Sequence, residues 1–191
     1  FSDDIIRLTD RWTREPIKVE IEPEIKTAEA VDQKIFLVST EEKYPLLLHI
    51  LQNEQVERAM VFANRRDIVR DLAEKLRKDG IDCSVLSGDV PQYKRLKTLD
   101  RFKKGQVTIL VATDVAGRGI HVDGVSHVVN FTLPEEAEDY VHRIGRTGRA
   151  GAKGTSVSFA CEDDSFQIPA LEEYIGQKIE LEDPPASWLD Q

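Results

Sequence analysis

From residue 35 to residue 175 one pattern recurs: a short apolar run, then a longer stretch with apolar residues at helical spacing. Ile35-Phe36-Leu37-Val38, Ala59–Ala63, Cys83–Leu86, Val107–Val111, Val125–Asn130 and Thr155–Ala160 carry little of the polar alternation of a strand with one wet face. Strands of that kind are buried on both sides. Between them, Leu46-Leu47-Leu48 with Ile50-Leu51 predicts a helix face, and Ile68, Val69, Leu72, Ala73 and Leu76 predict a second helix, stopped by Gly80. Asp89, read as a cap, and Pro91 open a third that ends near Gly105, and helices are expected over Glu135–Ile144 and Ser165–Ile175. Alternation of this type predicts a three-layer α/β domain, with a mainly parallel sheet covered by helices on both faces. In such open sheets, ligands bind at the carboxyl ends of the strands.

The 191 residues suffice for one domain. Its expected core runs over residues 31–176, after a leading segment and linker (1–30, with a short strand at Ile17–Ile21) and before an acidic C-terminal tail (177–191). The first residue is Phe1 rather than methionine, which suggests a fragment. Cys83 and Cys161 fall in apolar strands and read as buried free thiols, as expected in the cytoplasm. No apolar run reaches the length of a membrane span, so no membrane partner is expected.

The formal charge of −9 argues against nucleic acid only until its distribution is considered. Residues 58–105 hold 13 basic against 7 acidic side chains, whereas residues 155–191 hold 1 against 9. A local basic face binds phosphate within a Debye length whatever the total.

Three segments at predicted strand ends are unusual. Ser87-Gly88-Asp89 leads into a helix whose Gln92 and Arg95 lie one turn apart on the same side. Thr113-Asp114 is followed by Gly117-Arg118-Gly119, where glycines allow a close backbone approach. In His142-Arg143-Ile144-Gly145-Arg146-Thr147-Gly148-Arg149-Ala150-Gly151, arginine recurs every third residue among glycines. A solvated helix would not carry that many glycines at ~1 kcal/mol each, so the arginines are expected to meet an anion closely. His121, Asp123 and His127 mimic a two-histidine, one-carboxylate metal set, but they crowd into one short loop. No metal site is expected. No G-x-x-x-x-G-K-[ST] loop occurs, so nothing in the chain cradles a nucleoside triphosphate unaided.

These segments, in this order, resemble the motifs of the second RecA-like domain of DEAD-box RNA helicases. Met60–Arg66 resembles motif IV, Gly88-Asp89 through Gln92 and Arg95 motif IVa, Ala112-Thr113-Asp114 through Arg118-Gly119 motif V, and His142–Arg149 motif VI. The resemblance implies a RecA-like fold and the C-terminal half of an ATP-dependent helicase that unwinds short RNA duplexes. The alternative is a protein-docking module of an RNA-degrading assembly.

By that resemblance, Arg146 and Arg149 reach the ATP phosphates, Arg149 as the arginine finger, and His142 and Arg143 bridge to the N-terminal RecA-like domain. Gly119 and His121 lie near the nucleotide, although the family usually has aspartate in place of His121. Arg65, Arg66, Gly88, Gln92, Arg95 and Thr113 hold the RNA backbone. The implied cofactor is ATP with Mg2+, bound mainly by the N-terminal domain. The implied partners are RNA, that domain, and RNase E or another component of the degrading assembly.

Overall fold

The structure, a computed structural model, describes residues 30–53, 55–114, 122, 124–148 and 153–190. Seven strands form one sheet: β1 (Val31–Leu37), β2 (Ala59–Phe62), β3 (Ser84–Leu86), β4 (Ile109–Ala112), β5 (His127–Asn130), β6 (Gly154–Ala160) and β7 (Glu180–Glu182). Their spatial order is β3-β4-β2-β5-β6-β1-β7, and every pairing is parallel. Among the described residues, five α-helices accompany them: α1 (Lys43–Asn53), α2 (Arg66–Lys78), α3 (Gln92–Lys103), α4 (Ala137–Ile144) and α5 (Ile168–Ile175).

The two-residue period of the strands divides the core. Val61, Val111, Val129 and Phe159 face Leu47 and Ile50 of α1 and Leu72 and Leu76 of α2. Met60, Phe62, Leu110 and Val128 point the other way, onto Leu99 and Phe102 of α3. On that same side Ile35 and Ala160 pack with Tyr140 and Ile144 of α4 and Leu171 of α5. The continuously apolar strands are thus explained by two covered faces.

At the carboxyl end of β6 the loop is pinned from inside. The buried Lys43 ammonium lies 3.4 Å from Asp164, whose carboxylate also accepts the backbone N–H groups of Cys161 and Leu133. Such a pair holds only because its further hydrogen bonds are met. Cys83 and Cys161 are free and buried, and burial pushes the Cys83 thiol above its usual range. Among the described residues no helix is long and apolar enough to cross a membrane.

Two expectations change. Residues 180–182 are not a tail but an edge strand, paired with Lys34–Phe36 of β1. Ile179 is buried beside α5, and the Trp188 ring stacks on His49 at 4.6 Å and meets Phe36 edge-on. The folded unit therefore continues past residue 176, to Leu189 on the α1 face. Charge hid this, because Glu180 and Glu182 flank the one apolar residue of the strand, which lies at the sheet edge. Deleting residues 180–191 is accordingly expected to lower stability by about 2–4 kcal/mol, chiefly through lost aromatic packing. Urea unfolding checks this, and an unchanged midpoint would restore the view of an appended tail. Second, Asp89 does not cap α3. The helix starts at Gln92 with Pro91 at the cap position, while Asp89 accepts the Ser87 hydroxyl and pairs with Arg70. The expected segment 1–30 and its strand at 17–21 lie outside the described residues, apart from Ala30.

Candidate functional site

The chain leaves β2 into α2 on one face of the sheet and leaves β5 toward α4 on the other. Because β2 and β5 are neighbours, a crevice opens between their carboxyl ends. This is the position where open α/β sheets bind ligands. Asn64-Arg65-Arg66 leave β2 here, Gly88-Asp89 follow β3, and Thr113-Asp114 follow β4.

Arg143 of α4 fills the crevice, only 2% exposed. Its Nε donates to Asp114 Oδ1 at 2.5 Å, and one terminal nitrogen donates to Asp114 Oδ2 and Asn64 Oδ1, each at 2.6 Å. The other donates to the Thr132 carbonyl at 2.8 Å and to Asn130 Oδ1 at 3.3 Å. All five guanidinium N–H groups are thereby satisfied. Asn64 returns a bond to the Leu133 carbonyl, so one side chain ties together the ends of β2, β4 and β5. The expected bridge from Arg143 to another domain is not what this geometry provides: the side chain is consumed within its own domain. Its place on the inner side of α4, three residues after Tyr140 and next to Ile144, was the available signal. Nothing in the sequence marked Asn64, Asn130 and Thr132 as its partners.

Beside this hub lies an open groove of ≈ 730 Å³, lined by Asn64 through Asp67, Arg70, Gly88, Asp89 and Thr113. Thr113 is 3% exposed, and its hydroxyl has no hydrogen-bond partner among the described residues. Arg65 is held by both oxygens of Asp67, at 3.0 and 2.9 Å. Arg70 is held by Asp89, whereas no carboxylate among the described residues pairs with Arg66. Gln92 and Arg95 do share a side of α3, where the guanidinium donates to the side-chain Oε1 of Gln92.

His142 is half-exposed on α4, with Nε2 4.0 Å from Glu138. Arg146 follows, half-buried, just past the helix. Thr147 donates to the Val125 and Ser126 carbonyls and fixes the turn to the start of β5. Gly148 has an internal reason to be glycine: its φ is +74°, and a Cβ would stand 2.9 Å from Val31 Cγ2. Gly119, His121 and Arg149 lie outside the described residues. The structure thus brings Arg65, Arg66, Gly88 and Thr113 to one groove and sets Arg143 beside it as its support.

Residues 42–151, more than half of the chain, match the family described as helicase conserved C-terminal domain. The chain belongs to that family. This helicase domain is 58% identical over 189 residues to the ATP-dependent RNA helicase RhlB of Pseudomonas putida, covering 99% of the chain and 48% of that protein. The RhlB of Shewanella pealeana is 53% identical, with 86% of the chain and 38% of that protein covered. The chain spans about half the length, or less, of these curated relatives. The E. coli DEAD-box protein SrmB, solved bound to regulator of ribonuclease activity A, superposes with a TM-score of 0.78 at 38% identity, covering 83% of this chain and 94% of that one. S. cerevisiae Dbp5 bound to RNA and ADP BeF3 gives 0.74 at 32%, covering 83% and 43%. The helicase domain is therefore a C-terminal DEAD-box domain of the RhlB type with the RecA-like fold, as its motifs imply.

Proposed function

We propose that this domain is the C-terminal half of a two-domain ATP-dependent RNA helicase, its groove holding RNA backbone and the segment after α4 facing ATP across the interdomain cleft. The observation that carries the reading is the Thr113 hydroxyl, buried without a partner in a groove with three arginines. Leaving such a group unmet costs about 1–3 kcal/mol. A phosphate oxygen in the groove would accept its proton. The Gly88 backbone and the guanidinium of Arg66 supply further donors to the same anion, with Gln92 and Arg95 one step along α3. Contacts of this kind position the backbone without reading bases.

For ATP the described residues offer less, consistent with a substrate held mainly by the other domain. Arg146 is the one described arginine beyond Arg143 in that run, and the motif resemblance adds Gly119, His121 and Arg149. Mg2+ would arrive with the nucleotide and the N-terminal domain, as the motif resemblance implies. The arginines would neutralise charge on the transferring phosphoryl group. By the motif resemblance His142, half-exposed on α4, would touch the other domain. A cytoplasmic role in RNA degradation, with RNase E or another degrading component as partner, rests on the motif resemblance and the similarity to RhlB.

Thr113→Val tests the groove, because it removes the hydroxyl and keeps the shape. RNA affinity at fixed salt should fall about tenfold, the worth of a hydrogen bond to a charged group, with ATP affinity of the two-domain protein unchanged. Undiminished RNA binding would exclude Thr113 and this use of the groove.

A further inference from the structure

One face of α3 has no role in the fold or in the groove. Leu99 and Phe102 bury the inner side of this helix. The outer side carries Tyr93, 69% exposed, and Leu96, 55% exposed, among Lys94, Lys97 and Arg101, all three on the exposed side. No carboxylate among the described residues pairs with Lys94, Lys97 or Arg101. The one acid on this face, Asp100, is already neutralised by Lys104 at 2.9 Å. By contrast, α2 spends Lys75 and Lys78 on Asp71 and Glu74 of its own surface.

At 100° per residue Tyr93, Lys94, Lys97 and Arg101 fall within about 100° of one another. They therefore form a single stripe rather than a ring. The stripe starts at the helix end that carries Gln92, beside Gly88 and Asp89 of the groove, and runs about 12 Å from Tyr93 to Arg101 at 1.5 Å per residue. An exposed tyrosine at the groove end of a basic stripe is the combination that binds single strands: cations follow the phosphates and a ring stacks on a base.

We infer that the outer face of α3 is an accessory track for single-stranded RNA leaving the groove, with phosphates on Lys94, Lys97 and Arg101 and a base stacked on Tyr93. This rests on the proposed RNA groove and extends it beyond Gln92 and Arg95. A free cationic face of this kind also suits an acidic protein, but the aromatic at the groove end and the continuity with a phosphate-sized groove favour RNA.

The test compares oligoribonucleotides of about six and about twelve residues, by fluorescence anisotropy, on the 191-residue chain and on the triple variant Lys94→Gln, Lys97→Gln, Arg101→Gln. All three positions are exposed, and circular dichroism confirms the fold. The variant should bind the longer RNA about tenfold more weakly, with a salt dependence shallower by about two in slope, at ~0.7 per lost phosphate contact on a single strand. Binding of the shorter RNA should not change. Tyr93→Ala should weaken the longer single strand several-fold and leave a duplex of equal length unaffected. Equal losses on both lengths, or no loss on the longer one, overturn the track while leaving the groove intact. If the shorter RNA fails to bind but the longer one still distinguishes the variants, the groove reading falls and the track stands. Wild-type affinity of the triple variant for every RNA assigns this face to something other than RNA.

Discussion

Replacing Arg143 by Leu should lower the unfolding free energy by about 3–5 kcal/mol, the range for breaking a buried, hydrogen-bonded ion pair. Asp114 would lose its counter-charge while only 22% exposed, and Asn64, Asn130 and the Thr132 carbonyl would each lose a donor. The apolar replacement meets none of those acceptors. Arg143→Lys keeps the charge but has three donors on a point-like head, against five in a planar fork. It should recover only part of the loss, about half. Urea titration of the three proteins decides the matter, with exposed Lys78→Leu as the reference for a change without consequence. An Arg143→Leu protein within 1 kcal/mol of the parent would show that the crevice closes adequately without its arginine. In the two-domain protein, loss of turnover in Arg143 variants should accompany loss of stability, since this residue acts by placing Asn64 and the groove arginines beside it.

Arg149→Lys should behave in the opposite manner. In the two-domain protein we expect ATP turnover to fall at least tenfold, within the roughly 10³–10⁵ range attributed to arginine fingers. RNA affinity without nucleotide should stay nearly constant, and so should the unfolding midpoint. Lysine retains the charge, so the lost quantity is the planar, two-pronged contact with phosphate oxygens. The pair of variants thus separates the two kinds of arginine in one short run, His142 to Arg149. If Arg149→Lys keeps its turnover and loses RNA binding, the finger must be sought at Arg146. Turnover and RNA binding both at parental levels would remove Arg149 from phosphoryl chemistry.

Much of the architecture was legible in the order of residues because strand burial leaves a periodic trace. Continuous apolar runs such as Ala59–Ala63 and helix faces such as Val69, Leu72 and Leu76 predict a covered parallel sheet, and the structure has one. The strand-end position of Gly88 and Thr113 followed from the same pattern, and the motif spacing was enough to indicate the family. Tertiary structure alone decided the rest. Which arginine turns inward depends on acceptors 11 to 79 positions away, at Thr132, Asn130, Asp114 and Asn64, and no local pattern encodes such pairings. The strand at Glu180–Glu182 likewise exists because β1 offers it an open edge. Its own three residues carry one apolar side chain, too little for a period to show. Asp89 was read as a cap from its neighbours, but Arg70 and Ser87 claimed its carboxylate once the ends of β3 and α2 came together. Local sequence sets which faces are apolar; the ends of the strands decide where polar groups find partners, because those partners meet only after the sheet has formed.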